Sequence, residues 1–340
     1  MLGRAASLAC TSRRRLLRIP DPMRSPVIPP WTAACRRRSA LVAGAILLPL
    51  LAGCPSSPYP EVAVDLASSR PAPTAVQKPR TAVLRFSVAA MQSPQDTFAS
   101  YSRLFERLEP KLEVRIELVQ RRTYQEVNEL LASGQLDAAL VCTGGYVDLE
   151  RHQPGAVEVI AVPVVHGRTT YQSYVIVPAD STARELSDLA GKRFAFTDDL
   201  SLSGFAYPSH LVRELHGEAA TFFGSVTFTH SHDRSIEAVA KGVVDGAAVD
   251  SLVYDELART SPHVRTMTRV IHRSPPYGVA PVVVSTRLRP EQRAALRDAL
   301  LHLHDDPEAR VALALVGFDR FVPPEADLYA AASALVVGRR

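Results

Sequence analysis

The sequence predicts an α/β protein in which strands alternate with helices, giving an open, mostly parallel sheet behind a leader and a tether that belong to no fold. Three observations predict it. From about residue 82 onward the apolar pattern switches between two-residue and helical spacing, a segment recurs at an offset of 108 positions, and the charge of the 340-residue chain changes sign near residue 53. With 46% apolar and 22% charged residues, the composition excludes a disordered chain.

The formal charge of +4 combines two unlike parts. Residues 1–53 hold nine arginines and one acid, Asp21, and carry +8, whereas the remainder holds 30 basic and 34 acidic residues and carries −4. Arg36, Arg37 and Arg38 precede an apolar run at 40–51. That run falls short of the roughly 20 residues a bilayer requires, and a basic segment followed by a short apolar one fits an export signal. Leu51-Ala52-Gly53-Cys54 resembles the bacterial lipobox, in which the cysteine is diacylated and becomes the new N-terminus; the plainer alternative is an uncleaved anchor helix with an incidental cysteine. Translation starts at Met1 or Met23. Pro55 after Cys54 leans away from inner-membrane retention in a Gram-negative cell. Of the four cysteines, Cys10 and Cys35 leave with the leader and Cys54 takes lipid, so Cys142 stands alone, without an internal disulfide, and reads as a small buried hydrophobe. Residues 54–80 are rich in Pro and Ser and read as a semi-extended tether.

The body opens with a strand at 82–89 and a helix at 96–108, where Phe98, Tyr101, Leu104, Phe105 and Leu108 share a face. A strand at 114–119, a helix at 124–132 ended by Gly134, and a strand at 137–141 follow. Further strands read at 157–165, 171–177, 193–196, 226–229, 245–249, 264–271 and 279–285, with helices at 204–215, 235–240 and 252–259 and a helical end from Pro290. In such a sheet, ligands sit at the carboxyl ends of the strands. The recurring segment is 129–139 against 237–247, with Glu, Gly, Asp and Ala in register, and the same offset pairs Tyr124 with His232 and Tyr146 with Tyr254. Either helix–Gly–x–x–Asp–strand recurs by chance, or two similar lobes face one cleft.

Three segments carry chemistry. Asp198-Asp199-Leu200-Ser201-Leu202-Ser203-Gly204 joins a strand to a helix that starts near Ser203. It is either an ordinary serine cap or an anion site built from unpaired N–H groups and hydroxyls. Thr229-His230-Ser231-His232-Asp233-Arg234-Ser235 admits a metal site (His230, His232, Asp233), a hydrolase using His232, or a helix-start loop where His232 donates to a ligand and Asp233 or Ser235 caps the helix. The third is preferred, because no other His/Cys cluster and no Gly-x-Ser-x-Gly elbow exists. Thr143-Gly144-Gly145-Tyr146 reads as a strand entering a turn that exposes N–H groups beside a phenol. No Walker loop, dinucleotide fingerprint or nucleic-acid motif is visible.

In their order, Ser173-Tyr174-Val175-Ile176-Val177, the 188–196 segment DLAGKRFAF, Ser201-Leu202-Ser203-Gly204 with Pro208, His232-Asp233 before Ser235, and Val249-Asp250-Ser251 resemble the phosphate/phosphite/phosphonate family of ABC-transporter solute-binding proteins (PhnD-like) over about residues 82–320. The resemblance implies a two-lobed α/β periplasmic-binding-protein type II fold with a central ligand cleft and two crossover strands: lobe 1 from 81–168 and 276–340, lobe 2 from 169–275, and hinges near 164–171 and 272–280. It implies a monomeric lipoprotein, not an enzyme, without cofactor, metal or nucleic acid, that gives a phosphorus oxyanion to ABC permease subunits from a periplasm-facing membrane anchor at Cys54. A sensor or scaffold without a transporter, or a metal-dependent hydrolase, are the alternatives. The family's Ser-Thr-Ser loop, histidine and tyrosines map to Ser201, Leu202, Ser203, His232, Tyr124 and Tyr146, with Thr143, Gly144, Gly204 and Asp250 completing the expected site. Leu202 replaces the middle threonine, and Leu252 stands near the carboxylate that aminoalkyl-phosphonate binders use. Asp250 either accepts a P–OH proton from the ligand or caps the helix that follows.

Overall fold

The computed structural model describes residues 82–337 apart from residue 216, so the leader, Cys54 and the tether lie outside the described residues. Two sheets organise the body. The first has six strands in the order Arg320–Val322, Val157–Val164, Val282–Ser285, Ala138–Leu140, Ala82–Val88, Val114–Leu118. The second has five, in the order Thr268–Arg273, Ser173–Pro178, Gly246–Asp250, Arg193–Phe196, Ser225–Phe228. Between them the chain crosses twice, and the crossing segments pair as the antiparallel strands Thr170–Tyr171 and Tyr277–Gly278.

The sheets are mixed, not mostly parallel. Ala82–Val88 lies parallel to both its neighbours, and Arg193–Phe196 does the same in the second sheet. Val282–Ser285 and Ser173–Pro178, the strands that arrive from the other lobe, insert antiparallel. Apolar periodicity carries no information about strand direction, so the sequence shows the elements and not this reversal.

The helices cover each sheet through the faces their spacing predicts. Tyr101, Leu104, Phe105 and Leu108 of the helix Pro94–Leu112 pack on Leu84, Phe86 and Val88. In the second lobe Phe194 and Phe196 meet Phe223, with the Phe194 and Phe223 rings stacked 4.1 Å apart.

Five expected elements change. The 264–271 run is a helix, Pro262–Met267, followed by a strand, Thr268–Arg273, because Ser261 caps and Pro262 starts a helix inside it. The 171–177 strand breaks at Gln172, whose N–H leaves the ladder for Ser251 Oγ at 2.9 Å. Thr143-Gly144-Gly145-Tyr146 is the first turn of a helix, Thr143–His152, rather than a turn. The 204–215 helix starts earlier, as a π-helical turn Leu202–Ala206 leading into Tyr207–Glu214. The expected helical end is interrupted by the strand Arg320–Val322, which pairs with Val157–Val164.

The internal repeat is structural. At the end of the central strands away from the helix starts, Arg85 forks onto Asp137, with Nε to Oδ2 at 3.0 Å and Nη2 to Oδ1 at 2.9 Å, and Nη2 also reaches the Gly134 carbonyl at 3.0 Å. In the second lobe Arg193 repeats this with Asp245 (3.1 and 2.7 Å) and the Gly242 carbonyl (3.1 Å). Gly134 and Gly242 both take left-handed conformations, φ 74° and 67°, that end their helices and turn the chain into the strand carrying the aspartate. The Gly–x–x–Asp spacing is therefore the signature of a bidentate clamp on the strand Ala82–Val88 in one lobe and Arg193–Phe196 in the other. Asp137 also accepts the Arg85 backbone N–H at 2.7 Å. Asp137→Ala should thus lower folding stability by about 1–3 kcal/mol, read as a lower urea midpoint; an unchanged midpoint would remove the clamp from the stabilising interactions.

Candidate functional site

Six helix starts lie at the carboxyl ends of the strands, three from each lobe, and their capping residues stand in pairs 108 positions apart. Ser93 matches Ser201, Thr123 matches Ser231, and Cys142 matches Asp250. Each start presents N–H groups without helical partners. Several of these bond across the gap between lobes. Tyr124 N–H donates to Asp198 Oδ2 at 3.2 Å, His232 N–H to the Met91 carbonyl at 3.0 Å, and Ser93 N–H to Asp233 Oδ2 at 3.0 Å. Gly144 abuts the opposite loop so closely that a Cβ would stand 2.2 Å from the Leu200 carbonyl oxygen, so no larger residue fits with the lobes this near. The lobes are clasped.

Inside the clasp the side chains are buried, and burial favours the neutral form of each. His232 Nδ1 accepts the Asp250 backbone N–H at 3.1 Å and lies 3.0 Å from Thr197 Oγ1. A backbone N–H can only donate, so the ring proton sits on Nε2, and burial pushes the imidazole down to about 3. His232 is a neutral donor. Tyr124 and Tyr171 are held as phenols well above their ordinary range by burial, and burial raises the Cys142 thiol to about 11. Burial also raises Asp250 to about 7 and Asp198 to about 6. The buried hydroxyls without a hydrogen-bond partner include Tyr124 Oη, Ser203 Oγ and Ser231 Oγ at these helix starts. An orphaned buried donor costs about 1–3 kcal/mol.

The expected residues divide accordingly. Tyr124, Ser203, His232 and Asp250 come together, with the Tyr171 phenol beside the Ser203 and Thr143 hydroxyls. Ser201 Oγ accepts Gly204 N–H at 2.9 Å and is a cap, and Leu202 is buried with its N–H beside the Cys142 thiol. Gly204 lets the π-helical turn press on Thr197, where a Cβ would meet Oγ1 at 2.5 Å. Thr143 spends its hydroxyl on the Gly278 carbonyl at 2.8 Å, tying its helix to the crossover. Tyr146 is carried away from the group. It lies a turn inside its helix, and its ring packs edge-on against Tyr329 at 5.0 Å.

Of the two roles expected of Asp250, the cap is present, Oδ1 accepting the Leu252 N–H at 2.7 Å, and the carboxyl also borders Tyr124 and Tyr171. Neither Asp233 nor Ser235 caps the helix His232–Ala240. Asp233 reaches Ser93 in the other lobe, and Ser235 Oγ lies 2.6 Å from Thr229 Oγ1. Among the described residues no group of three or more His, Cys, Asp or Glu is placed to hold a metal, and His230, His232 and Asp233 form no ligand set. Sequence reasoning did not single out Tyr171 or Asp198, nor that Cys142, buried as expected, stands at the N-cap position of the helix Thr143–His152. The repeat offset, extended from Asp250, would have found Cys142.

The fold is the two-lobed architecture of type II periplasmic binding proteins, with helix starts from both lobes facing one another. Residues 86–329 match the family described as "ABC transporter, phosphonate, periplasmic substrate-binding protein", and the chain belongs to that family of extracytoplasmic binding proteins, which are not enzymes. It is 33% identical over 171 residues to the phosphate-import protein PhnD of Mycolicibacterium smegmatis, an alignment covering 48% of this chain and 53% of that one, so the chain spans about half the length of this curated relative. Its fold resembles the binding-protein component of an ABC phosphonate transporter from Pseudomonas aeruginosa (TM-score 0.70, 21% identity, 75% of this chain and 85% of the other). It also resembles PhnD1 from Prochlorococcus marinus in complex with methylphosphonate (TM-score 0.68, 19% identity, 75% and 97%).

The Asp250 environment sets a pH dependence. Its carboxyl is raised in the folded state above the ordinary value, so the stability it contributes is present below about pH 4 and is lost as pH rises through about 7. His232, lowered to about 3, acts oppositely, its contribution being lost as pH falls below about 6.5. Asp250→Asn keeps a cap and cannot ionise, so its melting temperature relative to the unaltered protein should climb between pH 5 and pH 8, where the His232 effect cancels in the difference. A flat difference would contradict the burial of this carboxyl.

Proposed function

We propose that this protein captures a phosphorus oxyanion (phosphate, phosphite or a phosphonate) between its lobes and delivers it to an ABC permease, held to the membrane by lipid on Cys54. The observation that carries this reading is the pair of buried, unpartnered hydroxyls of Tyr124 and Ser203 beside the Nε2–H donor of His232, in a shell of helix N-termini between the lobes. Four-sided oxyanions accept several hydrogen bonds at once, and helix starts favour anions without a formal positive charge. Family membership agrees with the geometry.

Binding proceeds by closure. With the lobes apart, the N–H groups of Tyr124, His232 and Ser93 face water. The anion bridges donors from both lobes, and the cross-lobe bonds to Asp198, Met91 and Asp233 then form around it. The crossovers, at 164–171 and 272–280, are the hinges in this reading, with lobe 1 formed by 81–168 and 276–340 and lobe 2 by 169–275. No bond is made or broken. Asp250, as a carboxylate, accepts a hydrogen bond from a ligand P–OH. Sulfate at neutral pH brings no proton and leaves a carboxylate facing an anion.

Titration calorimetry should show a phosphorus oxyanion binding and sulfate failing to bind. Ser203→Ala and Tyr124→Phe should each weaken binding by about 1–3 kcal/mol, since each removes a donor to a desolvated anion. Equal affinity for sulfate, or unchanged affinity in both variants, would refute the site. For the anchor, Cys54→Ser should move the protein from the detergent phase to the aqueous phase in a cloud-point partition, and no change would argue against lipidation.

A further inference from the structure

Cys142 is a nucleophile at the cleft that the binding scheme leaves unused. It stands at the N-cap of the helix Thr143–His152, the place Asp250 fills in the other lobe, and its thiol is free and buried. The Tyr124 phenol shares its buried cluster and lies close enough for the two groups to interact electrostatically, and the Tyr124 hydroxyl is buried without a hydrogen-bond partner. The sulfur therefore borders the space between the lobes where acceptors are needed. Its cover comes from the opposite lobe. Leu200 packs on the same cluster, and Leu202 presents its N–H to the sulfur.

The helix favours a reactive thiol wherever that cover is withdrawn. The N–H groups of Gly144 and Gly145, in the first turn of a ten-residue helix, face the sulfur and favour thiolate over thiol. Burial opposes them in the clasp and raises the thiol to about 11. The helix start belongs to one lobe and persists when the lobes part, whereas the cover by Leu200 and Leu202 does not.

We propose that Cys142 is a modification site for peroxides and other soft electrophiles, open to reaction when the lobes part and shielded when they close. With hydrogen peroxide, the thiolate sulfur takes one oxygen as the O–O bond breaks. Hydroxide leaves, the sulfur is oxidised to sulfenic acid and the peroxide is reduced. With a maleimide, a ring carbon bonds to the sulfur and the neighbouring carbon takes up a proton. Either product places new atoms where Leu202 must approach, so modification and closure exclude one another. Shielding by a bound ligand rests on the oxyanion reading above, whereas shielding by the opposite loop does not.

Gly144 separates the two. A Cβ there would overlap the Leu200 carbonyl oxygen and stand 2.7 Å from the Leu202 nitrogen, so Gly144→Ala holds the loop off the sulfur, while alanine suits the helix that carries it. In the test, the full chain is treated with N-ethylmaleimide, or with hydrogen peroxide and dimedone, and the Cys142 peptide is followed by mass spectrometry. Gly144→Ala should label at least tenfold faster than the unaltered protein. Whichever of phosphate, phosphite or methylphosphonate binds should slow labelling of the unaltered protein at least tenfold. Maleimide-treated protein should bind that oxyanion at least tenfold more weakly, and the same treatment should leave the affinity of Cys142→Ser where it started. Equal labelling of Gly144→Ala and the unaltered protein, or undiminished labelling of the oxyanion-saturated protein, would overturn the inference. Fast labelling of Gly144→Ala with none of the three oxyanions bound by the unaltered protein would leave the thiol site standing and remove the oxyanion reading.

Discussion

The constraint on which the structure depends is the satisfaction of N–H groups at six helix starts that face one another across a gap. Each start carries orphan donors and a partial positive charge. With the lobes apart, water serves them. When the lobes meet, water leaves and the donors require acceptors, which come from three sources: capping side chains within each lobe, carboxylates and a carbonyl from the opposite lobe, and a ligand. Asp198 on Tyr124, Asp233 on Ser93 and the Met91 carbonyl on His232 are of the second kind. The hydroxyls of Tyr124 and Ser203 are left for the third. Closure without a ligand strands them, so the energetics of closure and of binding are linked.

The two lobes solve the same local problem with the same parts, and they differ where selectivity is decided. The clamp Arg85–Asp137 and its copy Arg193–Asp245 set the helix–Gly–strand corner alike in both lobes. At the helix starts the copies diverge: Tyr124 stands where the other lobe has His232, and Cys142 where it has Asp250. A phenol faces an imidazole and a thiol faces a carboxyl. Only one of these four groups, Asp250, changes charge near neutral pH, because burial lifts it while pressing His232 far down and the phenol and thiol far up. Asp250 is thus the titrating member of this near-symmetric set of four, with Asp198, raised to about 6, beside it in the clasp.

The elements of the fold were legible in the sequence because their signals are local. Apolar spacing placed Tyr101, Leu104 and Leu108 on one helix face, and the Gly134 stop and Thr123–Tyr124 start fell where the structure has them. The reversal of Val282–Ser285 was not legible, since it comes from a chain returning across the cleft after a separation of more than a hundred residues. Within the site, Ser203, His232 and Tyr124 were legible through family-like spacing next to strand ends. Gly144-Gly145 suggested a free turn, whereas these glycines allow close approach inside a helix, which sets the Tyr146 ring against Tyr329. Tyr171 gave no local signal at all: it acts at the cleft only because a two-residue strand carries it between lobes.

Residues 54–340 carry −4, so long-range attraction of an anion to this part of the chain is weak or adverse, and ionic strength screens it further. Recognition must then come at contact range, where oriented N–H and O–H dipoles in a water-excluded space act without the desolvation cost of a buried cation. A lysine or arginine in this place would attract sulfate, phosphate and carboxylates alike. Neutral donors combined with one carboxyl that holds or releases a proton discriminate by the protonation state of the ligand as well as its shape. The four buried groups at the helix starts and the clasp that dries them are thus one device, in which selectivity comes from excluding every fixed positive charge.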